Sequence, residues 1–122
     1  NAPEPMLSIN HYNADKTIKS HWCIYSSGHV VFNNVLANLY DNETKSYNTN
    51  HIVVERIQEL INIYKIYDYN DKYGDILEPQ PYMIIKLDTE KGEKTIHVEP
   101  SNPIALNQFA DAVISILNQV NH

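Results

Sequence analysis

Cys23 is the only cysteine in the chain, so no disulfide can close within it and no thiolate-rich metal centre can be built. Glycine is nearly as scarce. Only Gly28, Gly74 and Gly92 occur, each in an expected turn or loop, whereas phosphate-cradling loops and dinucleotide fingerprints need several close together. A Gly-x-Ser-x-Gly nucleophile elbow is also missing. Positive charge is in short supply: 9 Lys and Arg against 15 Asp and Glu leave a net charge of −6. That balance opposes a nucleic-acid ligand and suits solubility or a basic partner. No run approaches the roughly 18 apolar residues that span a bilayer as a helix.

What is present suits one folded domain. The 122 residues are 43% hydrophobic, enough to bury a core without staples. Asn1-Ala2 reads as the remnant of a cleaved tag, and residues 3–122 read as a single α+β domain. Pro3-Glu4-Pro5 looks like chain that starts mid-protein, which suggests a mature region whose signal or lipoprotein leader has been removed, the alternative being an arbitrary domain cut.

The stretch from His21 to Phe32 organises the rest. Two β-prone runs, Trp22–Tyr25 and Val30–Phe32, flank Ser-Ser-Gly-His, and Gly28 can take the positive φ of a tight turn. With Ser27-Gly28 as a two-residue loop, Tyr25 pairs with Val30, Ile24 with Val31 and Cys23 with Phe32, and both faces of the ribbon are apolar. Met6–Tyr12 precedes it as a short strand, expected at an edge because prolines lie ahead of it. Val35–Tyr40 is expected to resume as a further strand, with Asp41–Thr44 as turn chemistry.

Thr49 or Asn50 can cap a helix from His51, on which Val53, Ile57, Leu60, Ile61 and Tyr64 make one stripe. Tyr82–Asp88 and Lys94–Glu99 read as a second hairpin, Met83, Ile85 and Leu87 sharing a face. Asn102 and Pro103 suit the N-cap and first position of a last helix whose stripe is Leu106, Phe109, Ala110, Val113, Ile116, Leu117 and Val120. The expected fold is an antiparallel sheet of four to six strands packed on two amphipathic helices, in the order β-β-β-(β)-α-β-β-α. One face carries both helices. The other is open, with tyrosines or Trp22 lining it.

Candidate chemistry is thin. The six histidines are dispersed, and none makes an i, i+4 pair with another. His21 and Cys23 share a strand face, but zinc needs three or four ligands, which only the distant His97 could extend. A nucleophilic Cys23–His pair is disfavoured because the thiol is expected to be buried and inert. The Asp68–Asp75 spacing misses the calcium-loop pattern. No catalytic residues, metal or cofactor are therefore assigned. The nine tyrosines stand out, four of them between Tyr64 and Tyr73 beside acidic residues. Exposed tyrosine suits recognition surfaces, so Tyr67, Asp68, Tyr69, Asp71 and Tyr73 form the candidate partner-binding site. The alternative is that Tyr64 and Tyr67 fill the edge of the core.

At Ile24-Tyr25-x-x-Gly28-x-Val30-Val31-Phe32 the chain resembles a bacterial domain family of unknown function found in exported proteins and lipoproteins. The similarity runs from about His21 to Val120 and includes Asp71-Lys72-Tyr73 and the Gly92 hairpin. Where that family carries Cys-Pro-x-Tyr, this chain has Thr17-Ile18-Lys19-Ser20. The resemblance implies a hairpin, a helix, an acidic aromatic loop, a second hairpin and a C-terminal helix, and it brings no catalytic residues.

The expected function is a non-catalytic, periplasmic or secreted module that binds another protein, one version being an inhibitor or immunity protein against a basic enzyme or toxin. An immunity protein to a cytoplasmic toxin would itself be cytoplasmic. The alternative is an envelope lipoprotein domain, anchored by lipid, that binds a small molecule or glycan on its open sheet face.

Overall fold

The computed structural model describes residues 5–15, 17–35, 42–69, 81–89, 92–98 and 104–120. Six strands form one antiparallel sheet: β1 (Leu7–Tyr12), β2 (Ile18–Ile24), β3 (His29–Val35), β4 (Asn42–Asn48), β5 (Tyr82–Thr89) and β6 (Gly92–Val98). Two helices, α1 (His51–Ile63) and α2 (Ile104–Val120), complete an α+β fold in the order β-β-β-β-α-β-β-α. No helix among the described residues is long and apolar enough to cross a membrane.

The strands lie in the order β4-β3-β2-β1-β5-β6. This moves β1 from the expected edge to the middle. Pro5 lies ahead of the strand, so it removes no N–H from either ladder. Residues opposite each other in an antiparallel pair point to the same side, which sorts the strands into two faces. Leu7 and Ile9 of β1 stand level with Ile24 and Trp22 of β2, Val30 and Phe32 of β3, and Leu87 and Ile85 of β5. That side is the core, and α1 and α2 cover it with Val53, Ile57, Ile61, Leu106, Phe109, Val113 and Leu117.

Trp22 belongs to this covered side. It is 5% exposed and stacks on Phe32 with ring centroids 4.2 Å apart, so it does not line the open face. The first hairpin differs from expectation by one residue. Ile24 pairs with Val30, Cys23 with Val31 and Trp22 with Phe32. The loop has three residues, Ser26 to Gly28, closed by Gly28 N–H to the Tyr25 carbonyl and Tyr25 N–H to the His29 carbonyl, both 2.9 Å. Gly28 sits at φ 96°, the left-handed residue that such loops need at their third position. A slip of one residue exchanges the two sides of a strand, and this register gathers Trp22, Ile24, Val30 and Phe32 on one face. The ribbon is therefore apolar on that side only, with His21, Cys23, Val31 and Asn33 on the other.

The fourth strand also starts later than expected. It is Asn42–Asn48, including residues expected to form a turn, and it lies opposite β3 from Asn42↔Val35 to Asn48↔His29. Val35 ends β3, and residues 36–40 fall outside the described residues. Helix α1 starts where its cap predicts: the Asn50 side chain accepts from Val53 N–H at 3.2 Å. Its stripe rotates slightly, with Val54 buried and Leu60 only half-buried. After Ile63 the chain turns through Lys65 at φ 52°, ψ 49°, then makes a single 3-10 turn at Ile66–Asp68 that plants Ile66 in the core at 0% exposure. The Asn102–Pro103 cap lies outside the described residues.

Candidate functional site

The face turned away from the helices is polar. One row runs straight across it: Val31 on β3, Cys23 on β2, Ser8 on β1, Lys86 on β5 and Thr95 on β6, each opposite the next. The neighbouring row holds Asn33, His21, Asn10, Ile84 and His97. In the middle of this face Ser8 and Asn10 are only 6% and 3% exposed, and they are the buried polar residues among those described. Their side chains join through Ser8 Oγ–H to Asn10 Oδ1, a long bond of 3.4 Å.

These two residues belong to a cleft of about 470 Å³, bordered also by His21, Cys23, Lys86, Asp88, Glu93 and Thr95. Its volume lies within the range of small-molecule sites. Within it His21 Nε2 touches Cys23 Sγ at 2.6 Å, and Ser8 Oγ lies 3.9 Å from the same sulfur. Burial pushes the Cys23 thiol above its ordinary range, against opposing pulls from the Ser8 hydrogen bond and the Lys86 charge. Burial, then Lys86, holds His21 below the ordinary histidine value. At neutral pH the pair is therefore a thiol beside a neutral imidazole. Asn33, opposite His21, keeps its Oδ1 buried with no hydrogen-bond partner among the described residues.

His97 does not join them. It stands on β6, three strands from β2 and about 14 Å away at ordinary strand spacing. Among the described residues no three His, Cys, Asp or Glu side chains converge to hold a metal ion.

Of the expected partner-binding residues, Tyr67, Asp68 and Tyr69 are among those described. Tyr67 is half-buried, its hydroxyl 2.5 Å from Thr89 Oγ1 and donating to the Gly92 carbonyl at 2.9 Å. It lines a second hollow of about 470 Å³ with Met6, Gln58, Ile61 and Thr89. Tyr64 and Tyr69 also pack against the core, Tyr64 meeting Phe109 edge-on at 5.8 Å. Asp68 is exposed. Asp71 and Tyr73 lie outside the described residues.

The alternation of Ser8 and Asn10 with Leu7 and Ile9 marks a strand with one polar side, and His21-x-Cys23 marks another. What the sequence does not carry is that β1 lies between β2 and β5, since that pairing joins distant segments. Tyr12 and Tyr82, stacked 4.9 Å apart, stand at one end of the same face. Comparison with known proteins finds no family model and no curated protein that matches this chain, so the hairpin resemblance rests on its own residues.

Proposed function

We propose that the chain is a non-catalytic binding module that takes a small polar molecule, of the size and hydroxyl or zwitterionic character of a sugar or an amino-acid derivative, on the face away from its helices. The observation that carries this reading is the pair Ser8 and Asn10, buried at the centre of the sheet in a concave site instead of standing in open solvent. A polar group pays a desolvation cost when buried unless it is well hydrogen-bonded. Ser8 Oγ has two contacts, both long, at 3.4 Å to Asn10 Oδ1 and 3.9 Å to Cys23 Sγ, which use only part of the pair's capacity. A ligand carrying hydroxyl, amine or carboxylate groups would complete it. Lys86 offers the site a cation, and Asp88 and Glu93 offer it anions.

The test is a screen of neutral sugars, amino acids and short peptides by two-dimensional NMR. Saturable shifts should cluster at the amides of residues 8–10, 21–23, 86–88 and 93–95, and Asn10→Leu or Lys86→Met should weaken them about tenfold. Shifts confined to other surfaces, or none with any ligand class, would overturn the assignment.

A protein partner at Tyr67–Tyr73 is the second reading, favoured by the exposed carboxylate of Asp68 beside the half-buried ring of Tyr69. Should a basic protein bind there, Asp68→Asn would slow association and flatten its salt dependence.

A further inference from the structure

We propose that Cys23 and His21 form a thiol–imidazole pair that captures a small zwitterionic disulfide in the polar-face cleft, leaving half of it attached to Cys23 as a mixed disulfide. This rests on the cleft being the ligand site.

Three observations converge. The imidazole Nε2 is in contact with the sulfur, on the same strand face two residues away. Residues i and i+2 of a strand share a face by its pleat, so the contact is built into β2 and needs no loop to close. The thiol is buried as expected, Cys23 being 9% exposed, but it is not sealed off. Cys23 and the half-buried His21 both border a cleft large enough for a dipeptide-sized molecule, which is the thiol's route to a ligand. The charges around it are also sorted. Lys86 stands in the same row as Cys23, two strands and about 10 Å away. Asp88 and Glu93 face each other one step along β5 and β6. A ligand whose sulfur meets Cys23 thus finds a cation for its carboxylate and carboxylates for its ammonium group.

The step balances without any further reagent. Nε2 of His21 takes the proton from the Cys23 thiol as the sulfur attacks one sulfur of the disulfide. The Cys23 S–S bond forms while the original S–S bond breaks. The departing sulfur leaves as a thiolate and receives the proton back from the imidazolium. Cys23 is oxidised to the disulfide level and the released half is reduced to a thiol. The groups facing the pair are Ser8 and Asn10 from β1, Val31 and Asn33 from β3, and Lys86 from β5, with Asp88 and Glu93 further along the cleft. Lys86 is the nearest formal charge among them. It discourages protonation of His21, keeping the imidazole available as a base.

The experiment exposes the reduced full chain to oxidised glutathione and, separately, to the neutral bis(2-hydroxyethyl) disulfide, following adducts by intact mass spectrometry. The expected result is a single adduct on Cys23, formed about tenfold faster from the zwitterionic disulfide, with a rate that saturates. His21→Asn should slow it about tenfold near pH 7 and move its rise to the higher pH at which the thiol ionises unaided. Lys86→Met should slow the glutathione reaction while sparing the neutral one. Equal rates for wild type and His21→Asn, or an adduct that forms only on unfolding, would overturn the proposal. Cys23→Ala, checked for its fold by circular dichroism, is titrated with S-methylglutathione. Binding to this variant without any adduct on the wild type removes the thiol chemistry and leaves the ligand site. No binding, with a wild-type rate that never saturates, overturns both.

Discussion

Gly28 carries a constraint from two directions. Its φ of 96° lies where side chains are strained, and a Cβ there would meet the carbonyl oxygen and Oγ1 of Thr49 at 3.1 Å. Thr49 is itself fastened to this residue, donating from its N–H at 2.8 Å and from its hydroxyl at 2.6 Å to the Gly28 carbonyl. Gly28→Val should therefore cost about 1 kcal/mol or more of stability, read from urea denaturation. Tyr67→Phe should cost about 0.5–1.5 kcal/mol by removing its bonds to Thr89 and Gly92. Tyr69→Ala should lower the melting temperature too, since its ring packs on the core. His11 and His21 set a pH response. Burial leads in lowering both, joined by Lys19 at His11 and Lys86 at His21. The unfolded chain then binds more protons than the folded one below about pH 6.5, so stability falls as pH drops from there towards the lowered folded values. Urea midpoints should decrease between about pH 7 and pH 5, and His11→Gln should shrink that decrease.

The elements divide between those set locally and those set by distant pairing. Helix α1 was legible because Asn50 and the spacing Val53–Ile57–Ile61 lie within one segment. The same holds for the alternation in β5, where Met83, Ile85 and Leu87 are buried. The depth of each side chain was less legible. Leu60 and Phe109 both sit mid-stripe, yet Phe109 is fully buried and Leu60 is half-buried at the margin of the helix pair. Phe109→Ala should cost about 3–5 kcal/mol and Leu60→Ala about 1 kcal/mol, measured as the difference in unfolding free energy. Similar losses at both positions would place α1 in a different rotation. Ile66 escaped notice because a single buried residue in a turn has no period to announce it. The three-residue loop escaped because Ser-Ser-Gly suits two turn types that differ by one position of register.

At the scale of the whole molecule, the α+β class and the segregation of helices to one face followed from composition and period. The candidate site did not. Cys23 and His21 are near neighbours in sequence, but Ser8 joins them only because β1 inserts beside β2, and Lys86 and Thr95 only because β5 and β6 extend the sheet on the far side. The tyrosines drew notice by density, and density alone does not separate rings that meet partners from rings that close a core.

The placement of β1 also dictates how the molecule must assemble in time. On one side of it, β1 to β4 form consecutive antiparallel neighbours, each pair closed by a short connection. On the other, β5 and β6 are a hairpin. The seam between β1 and β5 brings Tyr12 against Tyr82, closing a loop of roughly 70 residues, which carries the largest chain-entropy cost in the sheet. Two local half-sheets can form early, and docking them along β1 is the expected slow event. Tyr82→Ala, which removes the stack on Tyr12 across the seam and lies beyond the described β5–β6 pairs, should slow refolding, measured by stopped-flow fluorescence. Until it closes, the polar cleft has only one wall, so ligand binding should report completion of folding.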